Sequence, residues 1–296
     1  MNVKKVALFV GVTFLVSYSI VPLYFALGGT KAMPGMLILS VVYMFMPLSV
    51  AVVVQKLVYH ASLKDSCRIN FRPNRWFLVA WLLPPVIALA TLGVALLLPG
   101  VGFSSHMAGM FERFQGLVTP EQLEEMKQQA EALPIHPFWL GLLQGLVAGV
   151  TVNAVAAFGE ELGWRGLLLR ELESLGFWRA STLIGIVWGF WHAPLIVLGH
   201  NYPEHPWAGV FMITVMTTLL SPILSFVTLR ANSMLAAAIF HGTFNATAGL
   251  AILVVKGGND LTVGVTGLAG FVVLLFADIG LFLFERRFPI KGRTND

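Results

Sequence analysis

Apolar residues fill long stretches of this chain, and most polar residues are confined to the segments between those stretches. A helix crosses the hydrocarbon core of a bilayer in about 20 residues. Eight stretches are of roughly that length: 6–27, 34–55, 76–99, 138–159, 180–199, 207–229, 233–255 and 261–284. Because lipid offers no partner to an open backbone, such stretches must be helical. The pattern therefore predicts an all-α integral membrane protein, a bundle of about eight transmembrane helices.

The composition excludes a soluble globular domain. Hydrophobic residues make up 57% of the 296 residues and charged residues only 11%, whereas a soluble domain carries about a quarter charged residues. The lipid bilayer is therefore the solvent for much of the surface. The net charge of +4 does not indicate a nucleic-acid partner, because the Lys and Arg residues are spread between apolar stretches rather than gathered into a patch. The single cysteine, Cys67, excludes an internal disulfide.

The positions of the basic residues predict the orientation in the membrane. With the N-terminus inside, all but four of the 19 Lys and Arg residues fall on the cytoplasmic side, the exceptions being Lys31, Arg113, Lys127 and Lys256. An excess of positive charge on cytoplasmic loops orients membrane proteins. We therefore expect both termini to be inside (N-in, C-in), in the cell (inner) membrane.

One connection, residues 100–137, is much longer than the others. Within it, Thr119-Pro120-Glu121-Gln122 predicts a capping box with proline at the first helical position. Apolar residues then follow at helical spacing, at Leu123, Met126, Ala130 and Leu133. We expect amphipathic helices on the outer membrane surface, which serve either as a lid or as a scaffold. The sequence has no long repeat or linker, so residues 1–296 are predicted to form one membrane domain with its functional motifs in 138–255.

Ionisable side chains inside membrane spans are costly unless they are paired, and each one is a functional hypothesis. Glu161 and Arg165 are i, i+4 neighbours that can pair, whereas Glu160 points about 100° away on the same helix. One carboxylate would then be held by Arg165 while the other is free to react. The alternative is a Glu–Arg network that only ends a span. We expect the helix to continue to about Leu172, because no proline interrupts it.

Two later spans carry His192 and the pair His241 and Asn245. Pro194 should break or kink the helix beside His192. The i, i+4 spacing of His241 and Asn245 turns both to one face, where they need partners across the bundle. At about 1.5 Å per residue, Glu160 and the two histidines all lie roughly 15–20 Å from the cytoplasmic helix ends, so they can converge. The alternative is structural, with a packed core histidine and an inter-helix clamp.

Two other features are predicted to be structural. Gly141, Gly145 and Gly149 form a small-residue stripe on the fourth span, which allows a neighbouring helix to pack closely. Asp278, in the last span, is expected to pair with an arginine near the cytoplasmic face.

Three motifs together resemble a known family. Glu-Glu-x-x-x-Arg at 160–165, an aromatic-x-x-x-His at 188–192 and His-x-x-x-Asn at 241–245 follow one another in successive spans. In this they resemble the CAAX prenyl protease and bacteriocin-processing family (CPBP, also called Abi) of intramembrane glutamic endopeptidases, which includes the type II CAAX prenyl endopeptidases. One position departs from the pattern, because Trp188 stands where the second motif often begins with phenylalanine.

The resemblance implies a glutamate-dependent intramembrane endopeptidase. Glu160 and His192 would activate a water, and His241 and Asn245 would hold the oxyanion, with Glu161 and Arg165 in support. An amide and an imidazole N–H are suitable donors to a developing negative oxygen. The implied substrates are membrane-associated peptides or proteins, either prenylated CAAX-like C-termini or peptide precursors. The sequence carries no signal for an oligomeric state.

Two alternatives remain open. Two histidines and a glutamate could bind zinc, which would make this a zinc-dependent membrane protease. We expect no metal, because the sequence has no His-Glu-x-x-His motif and because Asn245 is better suited to an oxyanion than to zinc. From a different class, the same fold could serve as a non-catalytic membrane scaffold, a regulator or a bacteriocin-immunity protein.

Overall fold

The computed structural model describes residues 1–115 and 118–290, apart from the side chains of Met33 and Phe114. Lys291 and Arg293, which belong to the cytoplasmic charge count, lie outside the described residues. The described part is almost entirely helical: α1 Val3–Ala26, α2 Met33–Met44, α3 Met46–Val53, α4 Leu63–Ser66, α5 Arg75–Ala95, α6 Ala108–Phe114, α7 Pro120–Ala132, α8 Pro137–Val150, α9 Val152–Glu161, α10 Leu169–Leu172, α11 Phe177–Trp191, α12 Ala193–Val197, α13 Pro206–Ala231, α14 Met234–Thr247, α15 Leu250–Leu253 and α16 Leu268–Arg287.

Long apolar helices make this chain a multi-pass integral membrane protein, as predicted. Six helices within the described residues are long and apolar enough to cross a bilayer: Val3–Ala26, Pro34–Val58, Arg75–Ala95, Pro206–Ala231, Met234–Leu253 and Leu268–Arg287. The other two predicted spans are built from shorter pieces, α8 with α9 and α11 with α12. The all-α class is confirmed, while the count of eight spans and the orientation stay predictions.

The fourth predicted helix continues to Leu172, as expected, but it has a break at Thr151 that was not predicted. The chain breaks at Thr151 (φ −118°, ψ −105°) between α8 and α9, and a π-helical segment, Leu162–Leu168, follows α9. The Thr151 hydroxyl donates to the Val147 carbonyl at 2.8 Å, a local bond that competes with helix geometry and often bends a helix. A sequence without proline is therefore not enough to keep this helix straight.

The helix break lies where α14 crosses α8 and α9. A Cβ added at Gly149 would lie 2.4 Å from the Thr243 hydroxyl, and one at Gly145 would lie 2.9 Å from Thr247. From the other side, a Cβ at Gly242 would lie 2.6 Å from the backbone of Ala154. Only glycine fits at these crossings, as the small-residue stripe predicted. The close approach brings α14 directly against the start of α9.

A second close crossing joins α11 to α13. A Cβ added at Gly189 would lie 2.5 Å from Thr214 Cα, and one at Gly185 would lie 2.6 Å from Thr218 Cα. Because this glycine face of α11 is turned to α13, the adjacent Trp188 lies on a different face of the helix, where it contacts α9 and α14. The two glycine crossings together therefore set the positions of the helices that carry the three motifs.

The segment 100–137 contains two short helices, α6 and α7, as predicted. Thr119 and Gln122 form the predicted capping box, in which each side chain accepts from the other's backbone N–H. None of the residues of α7 is buried, and α7 meets α8 at a bend of 87°. A two-residue antiparallel ladder, β1 (Gly102–Phe103) with β2 (Val255–Lys256), joins the segment to the loop after α15. This pairing was not predicted.

Within residues 1–115 and 118–290, the expected ion pair of Asp278 with an arginine is not formed. Its Oδ1 atom is buried and has no hydrogen-bond partner. Arg230, on the neighbouring α13, instead lies over the aromatic rings of Trp76, Phe226 and Phe284. The arginine is thus held by cation–π contacts. Trp76 and Phe284 lie on other helices, α5 and α16, so spacing along a single helix does not reveal these two contacts.

Candidate active site

Glu160 lies at the C-terminal end of α9 and is only 2% exposed. Its Oε2 atom accepts a hydrogen bond from the indole Nε1–H of Trp188 at 2.7 Å. A buried carboxylate requires such a donor, because removal from water disfavours its charged form. Glu160 thus keeps a neutral partner, and no ion pair within hydrogen-bond distance ties it down in the described structure.

Glu161, one residue further on, has quite different surroundings. Its Oε1 atom accepts from Arg165 Nη1 at 3.0 Å and from His241 Nδ1 at 2.9 Å. The side chains of Glu161 and Arg165 are completely buried. The predicted i, i+4 pair is therefore confirmed. Its second partner, His241, is 80 residues away in the sequence, and the required cross-bundle partner of this histidine is now identified as Glu161.

His192 caps the C-terminus of α11, and α12 begins at the next residue with Pro194 in its first turn. The predicted break at this proline is confirmed. The Nδ1 atom of His192 lies 2.8 Å from the carbonyl oxygen of Trp188. Because a carbonyl can only accept, Nδ1 carries the proton. The neutral ring then presents Nε2 as a lone pair, able to accept a proton or to bind a cation.

His241 and Asn245 lie one turn apart on α14. His241 is 4% exposed, and its ring meets the ring of Trp188 at a centroid distance of 5.2 Å. Since Nδ1 donates to Glu161, the atom of His241 that remains for a substrate is Nε2. Asn245 adds an amide on the same face of the helix, as its spacing predicted.

All four of these side chains line one cavity of about 350 Å³. Helices α2, α9, α11, α13 and α14 contribute to its walls, and the lining extends from Glu160 to the loop residues His200 and Thr266. Most of the wall is apolar, with leucine, isoleucine, methionine and aromatic side chains around the polar groups. The side chains of the three motifs therefore converge in the fold, as the estimate of their depths along the helices allowed. The catalytic roles of the four residues stay predictions.

Comparison with known proteins identifies the motif-bearing segment. Residues 137–247 match the model of the family described as type II CAAX prenyl endopeptidase Rce1-like. We call residues 137–247, which are similar to that family, the Rce1-like segment. The resemblance of the three motifs to the CAAX prenyl protease family is confirmed, and all six predicted site residues fall inside the matched range.

A curated relative supports the same assignment. The chain is 30% identical over 130 residues to CAAX prenyl protease 2 of Methanococcus maripaludis, a match that covers 41% of this chain and 47% of the relative. The chain thus spans about half the length of the curated relative that it matches. The Rce1-like segment contains the whole cavity wall contributed by α9, α11, α13 and α14.

Several residues that line the cavity were not found by sequence reasoning. Trp188 was noted only as an aromatic departure, whereas its N–H contacts Glu160. Asn153, His200 and Asn201 also line the cavity. Asn153 lies seven residues before Glu160 on α9, and that helical spacing could have indicated the shared face. His200 and Asn201 come from a loop, whose position no periodicity predicts.

The residues of the site fit a metal only in part. His192 and His241 each have Nδ1 engaged by an oxygen atom and Nε2 directed elsewhere, as zinc-binding histidines do. However, within the described residues the group of three whose ligand atoms lie within 4.8 Å of one another is a different one, Glu204, His205 and Asp260. The expectation of a metal-free site stays a prediction.

The Glu204, His205 and Asp260 group ties two loops together. Asp260 Oδ2 accepts from the backbone N–H groups of Glu204 and His205, and Oδ1 lies 2.6 Å from His205 Nδ1. The carboxylate is therefore already occupied by three N–H groups that hold the loop before α13. This arrangement stabilises the loop that contributes His200 and Asn201 to the cavity.

Proposed function

We propose that this protein is an intramembrane endopeptidase that hydrolyses peptide bonds of membrane-associated substrates. The observation that carries the proposal is the convergence of Glu160, His192, His241 and Asn245 on one mostly apolar cavity. A general base, a second proton-accepting group and two potential oxyanion donors are the parts that peptide hydrolysis by an activated water requires. The Rce1-like segment and the protease relative support the same reaction class.

In the first step, a water in the cavity attacks the scissile carbonyl carbon. Trp188 occupies Glu160 Oε2, so the proton of the water is assigned to Oε1. His192, with its lone pair on Nε2, orients the same water by accepting a hydrogen bond. Two acceptors on one water direct its oxygen at the substrate, and general-base catalysis of this kind contributes about 10²–10⁴-fold.

In the second step, the tetrahedral intermediate collapses. The amide of Asn245 and the Nε2–H of His241 donate to the oxyanion, which requires His241 to be a cation because its Nδ1–H already donates to Glu161. The Glu161 carboxylate stabilises that imidazolium ring. As the C–N bond breaks, the proton held by Glu160 passes to the leaving amine, which restores the ionised carboxylate.

The chemistry of the cavity wall favours a lipidated or strongly apolar substrate segment. Prenylated CAAX-like C-termini are our first choice, in keeping with the name of the curated relative, and unprenylated peptide precursors are the second. Such substrates reach the cavity from the cell membrane, in which the protein is expected to be inserted.

The experiment is a cleavage assay with the purified protein in proteoliposomes. A farnesylated peptide with a CAAX end and the same peptide without the farnesyl group are compared by mass spectrometry. We expect cleavage of the farnesylated peptide by the wild type, its loss in Glu160→Gln, and its retention in Glu124→Gln, which changes a glutamate on the surface helix α7. A wild-type protein that cleaves neither this peptide nor an unprenylated precursor would support the non-catalytic scaffold instead.

A further inference from the structure

One residue, Trp188, contacts four of the charged or titratable groups at the centre of the site. Trp188 donates to Glu160 Oε2 through its indole N–H at 2.7 Å, and its backbone carbonyl accepts from His192 Nδ1 at 2.8 Å. The guanidinium of Arg165 lies 4.4 Å from the centre of its ring, and the ring of His241 meets it at 5.2 Å in an edge-on contact. Trp188 itself is 2% exposed.

We propose that Trp188 is the positioning residue of the water-activating pair. Its side chain holds Glu160 and its main chain sets the tautomer of His192, so a single residue orients both groups toward the same water. The inference rests on the proposed function. Phenylalanine, which often begins the motif, has the ring but not the donor, and so would support only the main-chain half of this arrangement.

The indole N–H does two things for Glu160. A hydrogen bond to an ionised group contributes about 1.5–3 kcal/mol, which favours the charged form that can accept a proton. By occupying Oε2, the donor also leaves Oε1 as the atom that faces the reaction. An apolar ring at this position would leave a buried carboxylate without its neutral donor, free to rotate or to become protonated.

The contacts on the ring face keep the direction of the N–H constant. Arg165 packs over the face of Trp188, and removal from water strengthens such a cation–π contact. Arg165 is itself held by Glu161, which also holds His241 against the ring. The charged cluster around Glu161 therefore immobilises the tryptophan, and the fixed indole N–H in turn fixes the orientation of the Glu160 carboxylate.

The contact to His192 follows from how α11 ends. In a regular helix the carbonyl of Trp188 would accept from the backbone N–H of His192. Here that N–H donates to Gly189 instead, at 3.1 Å, as the helix tightens before Pro194. The carbonyl of Trp188 is thereby available to the imidazole of His192. The proline that ends the helix is thus also the reason that the histidine has a defined tautomer.

The test separates the donor from the bulk of the ring. In Trp188→Phe the N–H is lost along with part of the ring, while 3-benzothienylalanine at position 188 keeps the bicyclic shape and replaces N–H by sulfur. Trp178→Phe is the matched control, because Trp178 lies on the same helix and donates its Nε1–H to another carboxylate, Glu285, at 3.1 Å. It does not line the cavity.

We expect kcat on the farnesylated peptide to fall about tenfold to a hundredfold in both position-188 variants, with KM within about twofold of the wild type. Trp178→Phe should keep both constants. Thermal unfolding in detergent shows which variants are folded. If Trp188→Phe does not fold, the benzothienyl protein still provides the test. A benzothienyl protein that is folded and keeps its full kcat overturns the donor role.

The hydrogen bond from His192 Nδ1 to the main-chain carbonyl of Trp188 is tested separately. In ¹⁵N spectra of the His192 ring, Nδ1 should be the protonated nitrogen in the wild type and in Trp188→Phe alike, because the carbonyl is retained. A ring protonated on Nε2 alone would overturn this half. Failure of the proposed function would give a different result. If Glu160→Gln kept its cleavage activity, Glu160 would not be the general base, and the inference about Trp188 would fail with that assignment.

Discussion

The two faces of the last turn of α9 present a comparison between identical side chains. Toward one face, Glu161 is enclosed by Arg165 and His241 and does not itself line the cavity. Toward the other, Glu160 lines the cavity and its hydrogen-bond donor is a neutral indole. Two adjacent glutamates thus differ in partner charge and in access to substrate.

This difference shows that the role of each glutamate depends on the groups around it rather than on its residue type. A carboxylate that accepts from an arginine and from an imidazole N–H is stabilised in its charged form and has little tendency to accept a proton. A carboxylate with one neutral donor beside a cavity is free to do so. The four predictions below test this division, from the largest expected effect to the smallest.

Replacing Glu160 by glutamine should lower kcat by about 10²–10⁴-fold, because the general base is lost. The amide oxygen can still accept from Trp188, so the thermal unfolding midpoint should stay close to that of the wild type. Cleavage kinetics and differential scanning fluorimetry in detergent measure the two effects. A near-normal kcat in a folded Glu160→Gln protein would contradict the assignment of Glu160 as the base, and the two glutamates would then not differ in this function.

Replacing Glu161 by glutamine should act first on stability. It leaves Arg165 buried without its counter-charge, and breaking a buried pair from one side costs about 3–5 kcal/mol. Denaturant unfolding of the reconstituted protein measures the loss, with the exposed Glu124→Gln as the control, for which a change within about 0.5 kcal/mol is expected. A fully stable Glu161→Gln protein would contradict the structural role of the closed cluster.

Asn245→Ala sharpens the comparison at the part of the cavity wall that α14 contributes. If Asn245 serves the oxyanion, kcat should fall by about 10²–10³-fold while KM changes little. The same loss in His241→Ala should be accompanied by lower stability, because that histidine also bonds to Glu161. The double variant should lose less than the product of the two single effects. A rise in KM alone would instead indicate that Asn245 binds the substrate in its ground state.

The smallest effect is expected from removal of metal. Treatment with 1,10-phenanthroline should leave the cleavage rate unchanged, because the proposed steps use only side chains and water. Elemental analysis of the active protein provides the second measurement. Stoichiometric zinc that leaves with the activity, and that is lost in His192→Ala but kept in Asn245→Ala, would establish the zinc-dependent alternative.

Much of the architecture could be predicted because it depends on local pattern. The apolar stretches predicted the membrane helices, and the capping box at Thr119 and Gln122 formed as expected. The spacing of Glu161 and Arg165 predicted their ion pair, and the three motifs predicted the Rce1-like segment. In each case the information lies within a few residues along the chain.

The parts that could not be predicted depend on how helices meet. The break at Thr151, the contact from His241 to Glu161 and the cation–π site of Arg230 join residues on different helices or arise where helices cross. Asp278 likewise has no arginine partner among the described residues. Helical periodicity defines which residues share a face, but it contains no information on which neighbouring helix that face will meet.

The sequence by itself therefore determined that this is an all-α membrane protein and which polar residues lie within its apolar stretches, because helix length and periodicity are local properties. Only the tertiary structure decided that Glu161 would hold His241 while Glu160 received the N–H of Trp188. Glycines at the crossings of α11 with α13 and of α14 with α8 and α9 allow the backbones to approach closely. Their approach sets the rotation of each helix, and that rotation distinguishes the two glutamates.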